Sequence, residues 1–154
     1  MSVSVQRIGT RTRLWDVRGM MAVLDIDQEP AVALVEEGKV LFAFNIALEP
    51  ERAHSTELRI IPRCVLDYKA GRRCTMKWAD VMNIVLPAGQ PTVTASEIAR
   101  ILNCSETLVY CLIRKNQLIA CTEGRRGPGN SAKVFSCSLE QLLMSRRWPV
   151  PGAE

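Results

Sequence analysis

The stretch TASEIARILNCSETLVYCLIRKNQLIA, from Thr94 to Ala120, contains two segments of helical apolar periodicity separated by Asn103-Cys104-Ser105. Thr94-Ala-Ser-Glu97 has the form of a capping box, in which the threonine oxygen accepts a backbone N–H and the glutamate returns to the threonine N–H. Ile98 and Leu102 then share one face of a first helix. The pattern predicts a helix, a tight turn and a second helix. It does not by itself distinguish a DNA-reading pair from two packed helices of an unrelated fold.

The second helix is expected to begin after Ser105, a favourable N-cap residue, and to end near Asn116, which tolerates a left-handed C-cap. Leu108, Cys111 and Leu112 are expected to face inward. The opposite side of this helix then carries the polar and larger residues: Glu106, Thr107, Tyr110, Arg114 and Lys115.

The segments that follow predict a hairpin and a closing helix. Residues 118–122 and 133–136 look like short strands, and the loop between them is rich in glycine and basic residues. Ser138-Leu-Glu-Gln141 repeats the capping-box pattern and opens a helix that ends near Arg146. The order is therefore helix, turn, helix, hairpin, helix.

With this order, residues 92–147 resemble the excisionase-type and MerR-like winged helix-turn-helix domains. The resemblance rests on the pattern from Ser105 to Arg114, on Leu118-x-Ala120, on the basic wing and on Ser138–Leu143. The chain departs from the family pattern at Asn116, where a glycine is usual, and in the length of its wing.

The resemblance implies that the second helix enters the major groove of double-stranded DNA and that the wing lies along the flanking backbone or minor groove. The side chains expected to contact DNA are Ser105, Thr107, Tyr110, Arg114, Lys115, Arg125, Arg126 and Lys133. Possible additional contacts to the DNA backbone are Arg7, Arg11, Arg13 and Arg100. A solvated helix face and an ordinary soluble loop are the alternative interpretation of the same residues.

A diverged copy of this unit precedes it. Sliding the chain by 78 positions aligns residues 20–41 with 98–119 without a gap, and both residues are apolar in 12 of the 22 columns. Residues 40–44 and 57–61 then correspond to the wing strands, and Val65, Leu66 and Tyr68 begin a closing helix. The sequence thus predicts an α+β, mainly helical fold with two tandem winged helix-turn-helix units, each with a short β-hairpin wing.

The two copies differ in charge. In the upstream copy the groove-entering helix corresponds to residues 28–37, which carry Glu29, Glu36 and Glu37, so this face would repel phosphates. It could pack against the sister unit as an internal pseudo-dimer or bind a protein partner. Arg52, Arg59 and Arg63 could still touch the DNA backbone.

Charge and composition give the predicted organisation of the chain. A basic arm (1–13), the diverged unit (14–73), a helical linker (74–91), the DNA-binding unit (92–147) and a tail (148–154) follow one another. The diverged unit has eight Lys/Arg against ten Asp/Glu, whereas the DNA-binding unit has eight against four. An acidic partner such as DNA is therefore expected to bind the downstream unit.

Several classes of function lack support in the sequence. The glycine-rich loop lacks the lysine and hydroxyl at the positions that a phosphate-binding loop requires. A single histidine leaves little basis for a nucleophile–base pair, so no enzyme, small-molecule substrate or cofactor is predicted. Six cysteines without C-x-x-C spacing favour reduced structural thiols over disulfides or a metal site. The absence of a secretory pattern or a long apolar run predicts a cytoplasmic protein that does not enter membranes.

The sequence therefore predicts a sequence-specific double-stranded DNA-binding protein, either a transcriptional regulator or an excisionase-like accessory factor of a mobile element. The alternative is a protein-interaction adaptor that uses both units as docking surfaces. The chain is expected to be a monomer with an internal pseudo-dimer, or a homodimer.

Overall fold

The computed structural model describes residues 13–40, 42–49, 57–86, 89–121 and 132–148. Within these ranges the upstream elements are α1 (Val17–Leu24), α2 (Gln28–Glu36), β1 (Ala43–Asn45), β2 (Leu58–Ile60), α3 (Pro62–Lys69) and α4 (Trp78–Val85). The downstream elements are β3 (Thr92–Thr94), α5 (Ala95–Leu102), α6 (Glu106–Arg114), β4 (Lys133–Phe135), α7 (Ser136–Ser145) and β5 (Arg147–Trp148).

The strands form two small antiparallel sheets. In the first, β1 lies between β2 and β5, with Ala43 opposite Ile60 on one side and Trp148 on the other. In the second, β3 pairs with β4 and Val93 lies opposite Val134. Helices and antiparallel strands in these proportions confirm the α+β, mainly helical class.

The upstream and downstream elements repeat with a constant offset. Helices α1 and α5 begin and end 78 residues apart, and so do α2 and α6. Asp25 and Asn103, which end α1 and α5, both have φ 56°. The turn bonds also coincide, because the N–H groups of Ile26 and Cys104 donate to the carbonyls of Met21 and Ala99, five residues earlier in each case. The two helix pairs therefore share one backbone design.

One hydrophobic core runs through both parts of the chain. Met20 of α1, Phe44 of β1, Val81 of α4 and Leu112 of α6 are each fully buried and belong to the same cluster of apolar side chains. Helix α4 also contacts the downstream part directly, because Trp78 Nε1 donates to Glu140 Oε2 of α7 at 3.0 Å. Burial on this scale is the main favourable contribution to folding.

Two buried arginines connect the parts. Arg59 of β2 donates from Nε to Leu102 O at 2.8 Å and from Nη2 to Asn103 O at 2.9 Å, so it binds the carbonyl end of α5. Arg146 donates from Nη1 to the carbonyls of Asn45 and Ala47. Both guanidinium groups satisfy carbonyls that a helix end or a strand end leaves open.

The structure corrects several expected boundaries. Helix α7 begins at Ser136 rather than Ser138, whose hydroxyl instead donates to Phe135 O at 2.8 Å within the first turn. The first upstream strand is β1 at Ala43–Asn45 rather than 40–44. Trp148, assigned to the tail, pairs with Ala43 through its backbone as part of β5. These boundaries depend on pairing with distant residues, which local patterns do not encode.

Candidate nucleic-acid interface

Helix α6 is placed by its caps and by the turn before it. Thr94 Oγ1 accepts from the Glu97 N–H and Glu97 Oε1 accepts from the Thr94 N–H, both at 3.1 Å, so the capping box of α5 is present in full. Ser105 caps α6, with its Oγ accepting from the Leu108 N–H at 3.2 Å. A glutamate in the first turn and an arginine in the last turn of α6 both agree with the helix dipole.

The buried and exposed faces of α6 differ slightly from expectation. Val109 and Leu112 are fully buried, whereas Leu108 and Cys111 are half-buried. The outward face carries exposed Thr107 near the start of the helix, with exposed Arg114 and Lys115 at its end. The inward stripe is therefore centred one residue away from the predicted one, and the predicted polar face is largely retained.

Tyr110 has a structural partner. The residue is half-buried, and its hydroxyl oxygen accepts a hydrogen bond from the Ala132 N–H at 3.0 Å. Ala132 immediately precedes β4, which pairs with β3, so this bond joins α6 to the start of that sheet strand. Tyr110 thus positions the start of β4 relative to α6, a role that the expectation of a direct DNA contact did not include. Among the described residues of the predicted first wing strand, 118–122, only Ala120 forms a bridge, opposite Val134.

The two basic residues at the end of α6 are held differently. Arg114 Nη2 lies 3.1 Å from Cys111 Sγ, one turn earlier, and the side chain remains exposed. Lys115 Nζ forms an ion pair with Glu49 Oε2 of the upstream part at 3.6 Å, and about half of each side chain is exposed. The charge of Lys115 is therefore partly balanced within the chain, and Arg114 is the more available phosphate-binding group.

The remaining expected contacts fall into two groups. Arg13 at the start of the described chain, Arg100 on α5 and Lys133 on β4 are all exposed. Lys133 follows the Ala132 that binds Tyr110, so it lies at the junction of α6 and the wing. Outside the described residues lie Arg7, Arg11, Arg125, Arg126 and the upstream Arg52.

Arg59, expected as a possible backbone contact, is withdrawn from the surface. Only 9% of it is exposed, and burial lowers the pKa of its guanidinium while Asp16 raises it. Arg146 is similarly buried, and Arg147 lies over the Phe42 ring at 4.8 Å. Arg146 and Arg147 belong to the downstream sequence, but both contact the upstream part. The count of cations along the downstream sequence therefore overstates its surface charge.

Helix α2 and the residue after it carry glutamates at the positions equivalent to Thr107, Arg114 and Lys115. With the offset of 78 residues, Glu29 and Glu36 take the places of Thr107 and Arg114, and both glutamates are exposed. Glu37 takes the place of Lys115 and pairs with Lys39 at 3.5 Å. Exposed negative charge therefore lies at both ends of α2.

A shallow groove of about 550 Å³ lies beside the acidic helix. Its lining residues are Leu24, Ile26, Pro30, Leu34, Tyr68 and Lys69. On α3, 48% of Leu66 and 38% of Tyr68 are exposed. The upstream part thus presents apolar surface next to negative charge.

The described cysteines are free thiols, and Cys64 Sγ lies 3.3 Å from Cys74 Sγ. Burial, followed by the bond to Cys74, raises the pKa of the Cys64 thiol well above its ordinary value.

Within the described ranges no group of three or more His, Cys, Asp and Glu side chains is arranged to hold a metal ion. None of the helices described here is long and apolar enough to cross a bilayer.

No family model, curated protein or solved structure matches the chain.

Proposed function

We propose that the chain is a sequence-specific double-stranded DNA-binding protein built from two winged helix-turn-helix units, residues 14–73 and 92–147. The downstream unit makes the principal DNA contact. Such a protein would act as a transcriptional regulator or as an excisionase-like accessory factor of a mobile element.

The single observation that carries the proposal is the contrast between α2 and α6. The two helices have the same length, the same offset from their partner helices and equivalent exposed positions, yet one presents Glu29 and Glu36 where the other presents Thr107 and Arg114. A charge difference at matched exposed positions is not required by packing. It is expected if one unit meets a polyanion and the other does not.

The geometry favours a conventional docking of the downstream unit. The exposed start of α6, with Thr107, would lie in the major groove, where a hydroxyl can hydrogen-bond base edges or phosphates. Arg114 would reach a phosphate one to two turns farther along the helix. Tyr110, through its bond to Ala132, would hold Lys133 and the wing in register with the helix.

Enrichment from a pool of random duplexes, followed by gel-shift titration, tests the proposal. We expect a preferred site to emerge and Arg114→Ala to weaken binding to all duplexes by about tenfold. The slope of log K against log salt should fall by about 1 in the same variant, because one phosphate contact is lost. Lys69→Ala, which removes an exposed cation on α3, is the matched control and should change neither quantity. A pool without enrichment, or equal losses in the two variants, would contradict the proposal.

A second candidate function rests on the groove beside α2. If both units serve as docking surfaces in a protein-interaction adaptor, Leu34→Glu in the groove should abolish binding of a protein partner. In that case Arg114→Ala would leave any DNA affinity unchanged. The two candidate functions therefore predict opposite responses to the two substitutions.

A further inference from the structure

The two units contact each other through different faces, so each unit keeps an equivalent of one face that the contact inside the chain does not use. Arg59 and the backbone N–H of Leu14, both upstream, donate to the carbonyls of Leu102, Asn103 and Ile101 at the end of α5. We call Leu14, Arg59 and Ile61 the donor face and the end of α5 the acceptor face. Such a contact is heterologous, since the two units contribute different surfaces.

Each unit carries an equivalent of both faces. The bridge Trp15–Ile60 in the upstream unit corresponds to the pair Val93–Val134 in the downstream unit. Each joins the residue two positions before the first helix of the pair to β2 or β4, respectively. The downstream donor face is therefore Thr92, Lys133 and Phe135. The offset of 78 residues makes Val23, Leu24 and Asp25 the upstream acceptor face.

The faces used inside the chain are buried, and their equivalents are open. Arg59 is 9% exposed and Ile61 is fully buried, whereas Lys133 is exposed and 37% of Phe135 is exposed. Likewise, Ile101 and Leu102 are buried on the occupied acceptor face. Val23 and Leu24 are only half-buried on the equivalent upstream face, and Asp25 is exposed.

The two open faces have complementary chemistry. Lys133 and Phe135 lie on the same exposed side of β4, as alternate residues of a strand do. On the acceptor face, Asp25 adds a carboxylate where Asn103 has an amide, and Leu24 and Ile26 line the apolar groove beside it. A lysine and a phenylalanine therefore match an aspartate and an apolar groove. Strand β3 is an edge of its sheet in the described structure, which leaves its outer side for a further contact.

We propose that a second copy of the chain occupies the groove, with its Lys133–Phe135 face on the Val23–Asp25 face of the first, in a head-to-tail contact that repeats the one between the two units. The contact uses different surfaces on the two copies and leaves one open face at each end, so association continues beyond the dimer. The proposal does not depend on DNA binding, and it is tested with the protein alone.

Sedimentation velocity and light scattering of the full chain, over concentrations from micromolar to millimolar at low salt, test this contact. We expect the mass average to rise past the dimer without a plateau at two chains. Asp25→Lys alone and Lys133→Asp alone should each weaken association at least tenfold, because like charges then face each other. A 1:1 mixture of the two variants should associate as the unaltered chain does, because every contact in the mixture can again join opposite charges.

Glu36→Lys is the matched control, since it makes the same charge change on exposed α2 outside the groove, and it should leave the mass distribution unchanged. Circular dichroism of each variant verifies that it is folded. A chain that stays monomeric throughout, a plateau at the dimer, or a mixture that fails to associate while both variants are folded would each overturn the proposal.

Discussion

The role of Arg59 requires a guanidinium group, because this buried residue donates to two backbone carbonyls at once. Its planar fork donates to two successive carbonyls at the end of α5, and only 9% of the residue is exposed. The last carbonyls of a helix have no partner within the helix, so a buried helix end needs a donor from elsewhere. Here that donor is supplied by a residue more than 40 positions upstream.

Replacement of Arg59 by alanine should lower the free energy of unfolding by about 3 kcal/mol, since the carbonyls of Leu102 and Asn103 lose charge-assisted donors and remain buried. Arg59→Lys should recover less than half of the loss, because one ammonium cannot reproduce the fork. Urea unfolding measures both values. Arg63→Ala, which alters an exposed arginine on α3, is the control and should stay within about 0.5 kcal/mol of the unaltered chain. Equal losses for the two alanine variants would contradict this role for Arg59.

Cys104, in the turn between α5 and α6, makes stability depend on pH in the alkaline range. Burial raises the pKa of its thiol from 9.0 to about 11, against a smaller lowering by Arg59. The folded state therefore holds this proton more tightly than the unfolded state. Its contribution to stability is complete below the unfolded pKa and declines as pH rises from about 9 towards about 11.

The corresponding measurement is the difference in unfolding free energy between the unaltered chain and Cys104→Ala. We expect this difference to be constant below pH 9 and to shrink above it, because only the unaltered chain loses the thiol contribution. Subtraction removes the titration of lysines and of other groups that both proteins share. A constant difference for Cys104→Ala would refute the linkage.

At the scale of the element, α2 and α6 allow a comparison of capping within one chain. Ser105 Oγ accepts a hydrogen bond from the third residue of α6, whereas Asp27, at the same position before α2, makes no side-chain capping bond. We therefore expect Ser105→Ala to destabilise the protein by about 1 kcal/mol and Asp27→Ala by much less. Thermal unfolding of both variants at moderate salt provides the measurement. A larger loss from Asp27→Ala would show that the dipole of α2, rather than the hydrogen bond, dominates.

The individual helices and strands show which parts of the fold could be predicted from the sequence. Helices α5 and α6 could be predicted closely because caps, turn residues and apolar spacing are local, and the 78-residue repeat could be seen because packing preserved the apolar columns. Strands β3 and β5 were missed because each acquires its structure from a partner far along the chain. The start of α7 was placed two residues late for a related reason, since its first residues are fixed by Pro91 and Gln90.

The candidate site was predicted less well than its scaffold. Thr107 and Arg114 are exposed as expected, but Tyr110 is bound to Ala132, the residue before β4, and Lys115 faces Glu49. The role of Arg59 was invisible in the sequence, because an arginine that binds a distant helix end has the same local context as one on the surface. Charge counts identify the basic part of a chain, and only the tertiary contacts show which cations remain available to a partner.

At the scale of the whole molecule, the two units share one hydrophobic core, and this predicts how the chain unfolds. Apolar side chains of both units form one cluster, and two buried arginines join the units from opposite directions. Because the core is shared, neither unit has a complete apolar interior of its own. Unfolding of one unit therefore exposes apolar side chains of the other unit to water. We therefore expect one unfolding transition, in which tryptophan fluorescence and far-ultraviolet circular dichroism change together.

Hydrogen exchange should resolve the coupling between the units. In the unaltered chain, the slowest amides of α1 and of α5 should exchange with the same opening free energy, since both require global unfolding. In the double variant Arg59→Ala/Arg146→Ala, the slowest amides of both helices should exchange faster by the same factor, because the charged bonds that join the units are gone while the shared apolar core still couples them. Lys115→Ala removes only the exposed ion pair to Glu49 and should leave the rates equal, since such a pair contributes at most about 1 kcal/mol. Different rates for α1 and α5 in the unaltered chain would mean that the units unfold independently and that the common core does not couple them.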